Sequence, residues 1–227
     1  MIISIHQPQY LPWLPYYSKI ARSDIFVFLD DVQYQKNGFQ NRNELKNSNG
    51  RFWLTVPVSA HLGDKLNEVK IVNNGWSKKH VKSVTMNYAK SSFFKYFLDQ
   101  IQPILEQESK KLVELNMKII NNICHQFFKI NTRIIRQTDL EPSGKGSKLI
   151  LDICKKLGAR KYLSGIGGKN YINENEFEES GIKIDYMDNE FPAEYPQLYR
   201  EKGFINDLSA LDFILNVGPD WSRYYVL

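Results

Sequence analysis

Two polar clusters near the start of the chain contain the residue types that proton transfer requires. His6 follows the β-branched run IISI at residues 2–5, and Asp30-Asp31 follows the apolar run IFVFL at residues 25–29. A histidine titrates near neutral pH and can act as a general base. We therefore predict that His6 is a catalytic base or a donor to a phosphate or an oxyanion. Asp30 or Asp31, of which only one can face the same side of a strand, could orient His6, contact a sugar hydroxyl or bind a metal ion. The alternative for His6 is a structural role that caps the following loop.

The elements that must position these clusters form a β-α-β unit. The apolar runs at 2–5 and 25–29 predict strands, and the pattern from Leu14 onwards predicts about two turns of helix between them. Continuous apolar strands are typical of parallel sheets that are buried on both faces. Ligands of such sheets bind at the carboxyl ends of the strands, so we expect both clusters at one edge of the sheet.

The rest of the chain predicts a single α/β domain over residues 1–227. Its mostly parallel, Rossmann-like sheet is flanked by helices and carries a helical insert at 77–130, within a helical stretch that is broken near Ser91 and Pro103. Residues 36–50 predict a polar loop with a turn at Asn49-Gly50. Further strands are expected at 51–59, 68–72, 132–140, 161–165 and 182–187, and further helices at 148–159, 173–181 and 209–217.

Composition excludes several classes of protein. The 227 residues are 42% hydrophobic and 24% charged, which is typical of a globular chain and not of a disordered one. The net charge of +5 permits an anionic partner, but basic residues do not cluster with aromatic ones as in nucleic-acid-binding proteins. Cys124 and Cys154 are too few for a disulfide scaffold or a zinc site, and we expect buried free thiols and no metal. No signal peptide or membrane-spanning run is found, so a cytoplasmic, soluble protein is expected.

A dense set of hydrogen-bonding side chains lies just after the second predicted strand. Arg42 beside amide side chains would suit a carboxylate or a phosphate, although a solvated loop explains the same pattern. The set consists of Gln33, Tyr34, Gln40, Asn41 and Arg42.

One tryptophan and one histidine are spaced as W-x-x-x-H at the start of a predicted helix. Trp76 and His80 should therefore lie one turn apart, in a binding site or in the core. We expect structural roles for His61 and His125.

Glycines follow two further predicted elements. The segment GIGGKNYI at 165–172 places Gly165, Gly167 and Gly168 after a strand, where a ligand could approach the backbone closely. SGKGS at 143–147 could be a phosphate-binding nest or a plain turn in which Ser147 caps the next helix and Gly158 ends it. Neither a Gly-x-Ser-x-Gly elbow nor a recognisable Cys–His pair occurs, which disfavours covalent serine or cysteine catalysis.

Long segments of the chain resemble the WbqC-like protein family. They are IHQPQYLPW (5–13), SDIFVFLDDVQYQKNGFQNRN (23–43), WLTVPV (53–58), the pair Trp76 and His80, YLSGIGGKNYI (162–172), YPQL (195–198) and LDFILNVGP (211–219). Members are typically encoded among genes for bacterial surface polysaccharides, and acyl or aminoacyl transfer to amino sugars is the activity suspected for them. A weaker similarity links QPQYLPW to the Q-P-x-H-x-G-H turn of nucleotidylyltransferases and pantothenate-synthetase-like ligases. Tyr10, Pro12 and Trp13 stand where that turn has His, Gly and His.

The resemblance implies a transferase that forms an amide on a nucleotide-linked amino sugar. His6 would be the base, amides of Gln7, Gln33 and Asn41 would stabilise the acyl oxygen, and Arg42 with the glycine loop would hold the diphosphate. The sugar or the nucleotide base would contact Tyr10, Trp13, Tyr34, Trp76, His80 and Tyr171. The acyl donor would be a thioester on coenzyme A or on an acidic carrier protein, with no tightly bound cofactor.

Two alternatives to acyl transfer stay open. One is an ATP-dependent ligase that forms an adenylate before the amide. The other is a non-catalytic partner that binds a sugar nucleotide. Partners other than these small molecules and the carrier, such as nucleic acid or a membrane, are not expected.

Overall fold

A parallel five-stranded sheet organises the protein. The computed structural model describes residues 1–188 and 190–227. The strand order in the sheet is β7-β2-β1-β8-β9, and every neighbouring pair is parallel. These strands are β1 (Ile2–His6), β2 (Ile25–Phe28), β7 (Arg133–Arg136), β8 (Lys161–Gly165) and β9 (Lys183–Met187); two antiparallel hairpins are formed by β3 (Arg42–Asn47) with β4 (Gly50–Thr55) and by β5 (Val58–Ser59) with β6 (Lys70–Ile71). The predicted single-domain α/β fold with a mostly parallel sheet is confirmed.

Helices cover both faces of the sheet. They are α1 (Leu14–Ala21), α2 (Trp76–Tyr88), α3 (Phe94–Tyr96), α4 (Gln102–Glu106), α5 (Leu112–Asn122), α6 (Ser147–Lys156), α7 (Glu174–Glu179) and α8 (Ala210–Val217); π-helical turns at Phe97–Ile101 and Ile123–Phe128 extend α3 into α4 and continue α5. No helix in the described part of the chain is long and apolar enough to cross a membrane.

Alternate residues of the central strands belong to two separate cores. Ile5 and Val27 pack in a cluster that includes Ile153 of α6 and Phe177 of α7. Phe28 packs in the larger cluster on the other face, which is formed with α1, α2, α5 and α8. This alternation follows from the two-residue period of a strand, and it explains why the runs are apolar throughout.

The sheet reverses its direction of growth between β1 and β8. The chain starts in the centre at β1 and adds β2 and then β7 on one side, before β8 and β9 extend the other side. Such a reversal leaves a crevice at the carboxyl ends of the two central strands, where open α/β sheets bind ligands.

The segment between β2 and β7 differs from the predicted insert. The stretch 36–50, predicted as a loop, contains β3. Its Asn43 and Lys46 are buried but polar and lie on opposite faces of the strand, which conceals the strand pattern in the sequence. The second helical break lies at 107–111 and not at Pro103, which follows a π-helical turn where the regular i→i−4 ladder is already interrupted.

For α6, the predicted cap at the N-terminal end is wrong and the predicted stop at the C-terminal end is confirmed. Ser147 is the first helical residue and not the cap. Gly146 precedes it with φ +54°, and the Ser147 hydroxyl accepts a hydrogen bond from the Asn173 N–H at 2.9 Å. Gly158 lies just after the helix with φ +67° and ends it as predicted.

Candidate functional site

A cavity of about 320 Å³ lies at the carboxyl ends of β1 and β8, where the strand order reverses. Other depressions are larger, among them one of about 430 Å³ beside Lys46 and Gln197, but they lie away from this crevice. The cavity at the strand ends joins several of the sequence-predicted site residues, namely His6, Gln7, Gly165, Gly167, Gly168 and Tyr171, and it adds residues that were not predicted, namely Gln9, Lys19, Gln35, Tyr162 and Ser164.

His6 is held as a neutral ring whose Nε2 has no hydrogen-bond partner among the described residues. Its Nδ1 lies 3.1 Å from the carbonyl oxygen of Gln7, and because a carbonyl can only accept, Nδ1 carries the proton and donates it. The ring also packs edge-on against Tyr16, with centroids 4.9 Å apart. Burial, assisted by the nearby Lys19, lowers the pKa of His6 to about 3, against the raising effect of the Gln7 hydrogen bond. At neutral pH, Nε2 therefore has a lone pair available to take a proton.

Lys19 shares the cavity with His6 and was missed in the sequence. It lies on α1 with 5% of its surface exposed, and its Nζ donates a hydrogen bond of 2.8 Å to the carbonyl oxygen of Ile5. Burial lowers the pKa of Lys19 to about 7. A signal was present: Lys19 is the only charged residue in a helix that connects two strands buried on both faces.

Gln7 offers a free amide donor next to His6. Its Oε1 accepts a hydrogen bond of 2.7 Å from Gln40 Nε2, while Gln40 Oε1 accepts one from the Gln35 N–H at 2.8 Å. These two hydrogen bonds determine which end of the Gln7 amide is the oxygen. Its NH₂ group has no protein partner among the described residues and can donate to a ligand.

The glycines of the turn after β8 differ in what they do. A Cβ on Gly168 would lie 2.1 Å from the Ser164 hydroxyl oxygen, so Gly168 is required for packing. A Cβ on Gly165 or Gly167 would meet nothing within 4 Å, and neither residue has a positive φ. Packing and backbone conformation therefore leave these two glycines unexplained, whereas close approach of a ligand to the backbone would explain them.

Comparison with known proteins identifies the family. The sequence model of the WbqC-like protein family matches residues 7–224. The chain belongs to the WbqC-like protein family. A Mycobacterium tuberculosis (strain H37Rv) protein described as "Uncharacterized protein Rv1507c" is 34% identical to this WbqC-like chain over 228 residues, which cover 98% of this chain and 97% of its own. No solved structure matches the chain.

Asp30 and Asp31 do not orient His6 in this WbqC-like protein, contrary to the sequence-based expectation. Asp30 is fully buried and accepts hydrogen bonds from Arg136 Nε at 2.8 Å and from the Thr138 hydroxyl at 3.0 Å. Asp31 accepts from Lys65 Nζ at 2.9 Å and from Asn67 at 3.0 Å. The carboxylates follow β2 as predicted, but they tie neighbouring loops together, and His6 is oriented by a backbone carbonyl.

Trp76 and His80 meet as their spacing predicts, with centroids 5.1 Å apart, but in a separate buried cluster. His80 Nε2 donates to the carbonyl oxygen of Thr55, 3.2 Å away, so Nδ1 accepts from the Tyr10 hydroxyl at 2.9 Å. Burial lowers the pKa of His80 to about 4. Because both ring nitrogens have protein partners, this histidine and Tyr10 stabilise the fold and do not line the cavity.

The remaining predicted binding residues of the WbqC-like chain also lie outside the cavity. Asn41 is buried and donates to the Val56 carbonyl oxygen, and the Arg42 guanidinium lies 4.2 Å from the centre of the Trp53 ring. Trp13 and Tyr34 pack against the larger core, and Gln33 forms an isolated bridge with Lys65. Within residues 1–188 and 190–227, no group of three or more His, Cys, Asp or Glu could hold a metal ion.

Proposed function

We propose that this WbqC-like protein is an acyl- or aminoacyltransferase that forms an amide on a nucleotide-linked amino sugar, in the synthesis of bacterial surface polysaccharides. One observation carries the proposal: a neutral His6, with Nδ1 bound to a backbone carbonyl and Nε2 free, lies in a cavity at the switch point of the sheet. That arrangement suits a group that takes a proton from an attacking amine.

The charge of the cavity favours a nucleophilic amine. Among the described residues, its lining includes His6 and Lys19 but no Asp or Glu. An ammonium ion would find no carboxylate there and would be repelled by Lys19, so a sugar amine binds in its neutral form. Only the neutral amine has the lone pair that attacks an acyl carbon.

The reaction then follows from the positions of the side chains. The amine attacks the thioester carbonyl, and the NH₂ group of Gln7 donates a hydrogen bond to the oxygen that becomes anionic. The amine proton passes to His6 Nε2 as the thiolate leaves. A base whose pKa is about 3 accepts a proton when negative charge develops beside it, because that charge raises its pKa. The tetrahedral oxyanion and the departing thiolate supply this charge.

A specific observation also favours the ATP-dependent ligase as a second candidate. Numbered within the sheet, the strands follow the order 3-2-1-4-5, which is the first five strands of the 3-2-1-4-5-6 order of nucleotide-binding sheets. Under this alternative the carboxylate is activated by ATP, and no thioester is consumed.

An activity screen tests both candidates. Purified protein is incubated with nucleotide-linked amino sugars together with acyl-coenzyme A, acyl-carrier thioesters or ATP plus free acids, and thiol release, pyrophosphate release and the amide product are measured. We expect thiol release with amide formation, and a loss of at least about 100-fold in kcat for His6→Ala. The control is His61→Ala, because His61 is exposed in a loop outside the cavity.

The other outcomes decide between the alternatives. Pyrophosphate release without consumption of a thioester would replace acyl transfer by the ligase. Binding of a sugar nucleotide that His6→Ala leaves unchanged, with no turnover under any condition, would replace it by a non-catalytic partner.

A further inference from the structure

The cavity at the strand ends has an unbalanced charge. His6 and Lys19 both line it, and both can become cationic, while no described lining residue is an acid. The other titratable residues of the described lining are Tyr162 on β8 and Tyr171 in the turn that follows β8; burial raises the pKa of both, so neither is negatively charged at neutral pH.

Lys19 also has unused hydrogen-bonding capacity. An ammonium group has three N–H donors, and the described structure gives Lys19 a single acceptor, the carbonyl oxygen of Ile5. Other buried charges in this protein have ionic or multiple polar partners. Asp30 is paired with Arg136, and the Lys46 amine donates both to Gln197 and to the carbonyl oxygen of Gly203. Lys19 is thus a buried amine with room for an acceptor at the floor of a cavity.

We propose that Lys19 anchors a compact oxyanion, the carboxylate or phosphate group of the substrate, at the floor of the cavity beside His6 and the Gln7 amide. The anion makes a charge-assisted hydrogen bond to the ammonium, which is the strong kind in a buried site. The inference names the anionic part of the substrate and rests on the proposed function for its biological meaning. The anion site is thus assigned to Lys19 and not to Arg42, whose guanidinium lies over the Trp53 ring.

Binding at this place is coupled to proton uptake. In the free protein, burial keeps the pKa of Lys19 at about 7, so most of the amine is neutral at pH 8. An oxyanion beside it favours the charged form, and one proton therefore enters the site with the ligand. Since only the protonated fraction binds, affinity should fall about 50-fold between pH 7 and pH 9.

Calorimetry with defined probes tests the inference. The titrants are uridine diphosphate, inorganic phosphate and glucuronate, with uridine as the uncharged probe, each at pH 8 in Tris and in HEPES so that proton uptake is read from the difference in heat. We expect uptake of about one proton per bound anion. Binding of glucuronate alone identifies the anion as a carboxylate, and binding of the diphosphate or of phosphate identifies it as a phosphate.

Variants separate the site from general electrostatics. Lys19→Met should weaken the anion at least tenfold at pH 7 and abolish proton uptake, and Lys19→Gln serves as a second variant if the first does not fold. Lys169→Met is the matched control, because Lys169 is an exposed lysine in the turn beside the cavity but does not line it.

Three results would overturn the inference: unchanged anion affinity in both Lys19 variants, no proton uptake by the wild type, or no anionic probe that binds more tightly than uridine. Its failure can be told apart from failure of the proposed function. Full amide synthesis by Lys19→Met would refute the anion site and leave acyl transfer standing. Retained anion binding with no turnover on any donor would do the reverse.

Discussion

Lys19 and Lys46 are both buried lysines, and they differ in what surrounds the amine. Lys46 lies on β3 with 1% of its surface exposed, and its Nζ donates to Gln197 Oε1 at 2.8 Å and to the Gly203 carbonyl oxygen at 2.6 Å. Burial lowers its pKa, but the negative charges of Asp212 and Glu201 act in the opposite direction. For Lys19 burial alone lowers the pKa, and no carboxylate opposes it.

The surroundings of Lys46 form a closed network. Asp212 is fully buried and accepts hydrogen bonds from Tyr88 at 2.6 Å, from Tyr195 at 2.6 Å and from Gln197 at 2.7 Å. Charge and hydrogen bonds are satisfied inside the protein, so the network joins β3, α2, α8 and the segment at 195–197. The two lysines therefore differ in the source of the counter-charge: the protein supplies it for Lys46, and under our proposal a ligand supplies it for Lys19.

The largest expected effect comes from breaking the closed network. Asp212→Ala leaves three buried donors without their acceptor and removes the negative charge that favours the ammonium form of Lys46, so we expect a loss of about 3–5 kcal/mol in the free energy of unfolding. Urea denaturation measures it. Asp220→Ala is the control, since this exposed carboxylate should change stability by less than about 0.5 kcal/mol. A loss under about 1 kcal/mol for Asp212→Ala would show that the network does not hold the fold together.

A smaller effect should appear at Lys19 as a dependence of stability on pH. Its pKa is lower in the folded protein, about 7, than the usual 10.5, so between pH 7.0 and 8.5 the unfolded chain binds more protons. Stability must therefore rise with pH in this interval, by about 1.5 kcal/mol from Lys19. His6, whose folded pKa is about 3, is neutral in the folded protein, but in the unfolded chain, where its pKa is 6.5, it is still partly protonated at pH 7. It therefore adds a rise of about 0.2 kcal/mol over this interval, in wild type and in a Lys19 variant alike.

The measurement is urea denaturation of wild type and Lys19→Met at several pH values. The interval ends at 8.5 because burial raises the pKa of the Cys124 and Cys154 thiols to about 12, which opposes the rise above pH 9. The wild-type rise minus that of the variant isolates Lys19, because Lys46 contributes equally to both. Identical slopes would mean that Lys19 is charged in the folded protein, and the contrast with Lys46 would disappear.

The sheet could be predicted from the sequence because its strands are apolar on both faces. β1, β2 and β8 occur where the runs predicted them, and the cavity lies at the ends that parallel strands share. The hairpin strand β3 could not be recognised, because Asn43 and Lys46 are buried and bind polar partners that are distant in sequence. A period-two pattern is visible only when the buried face is apolar.

The site itself was half predictable for the same reason. His6 and the glycines of the turn after β8 belong to strand ends, and local pattern places strand ends well. The partners of Asp30, Asp31 and His80 come from other segments, 25 to 108 positions away, and no local signal shows that these polar groups are already satisfied. Lys19 was missed because a single lysine in a short helix usually marks the face of the helix that is exposed to solvent.

A third substitution would make the surroundings of Lys19 resemble those of Lys46. Gln7→Glu places a carboxylate in the cavity, where it still accepts the Gln40 hydrogen bond and raises the pKa of His6 and of Lys19. The rise in stability between pH 7.0 and 8.5 should shrink by about 0.5–1 kcal/mol, measured by urea denaturation as before. Binding of the anionic probes should weaken, because the protein now supplies its own counter-ion.

The matched control for Gln7→Glu is Gln7→Ala, which removes the amide without adding charge. This variant should leave the pH slope as in the wild type while it weakens the anion only by the loss of one hydrogen bond. If Gln7→Glu and Gln7→Ala behave alike in both measurements, then the charge of the cavity does not govern Lys19. The difference between Lys19 and Lys46 would then lie in the depth of burial and not in the missing carboxylate.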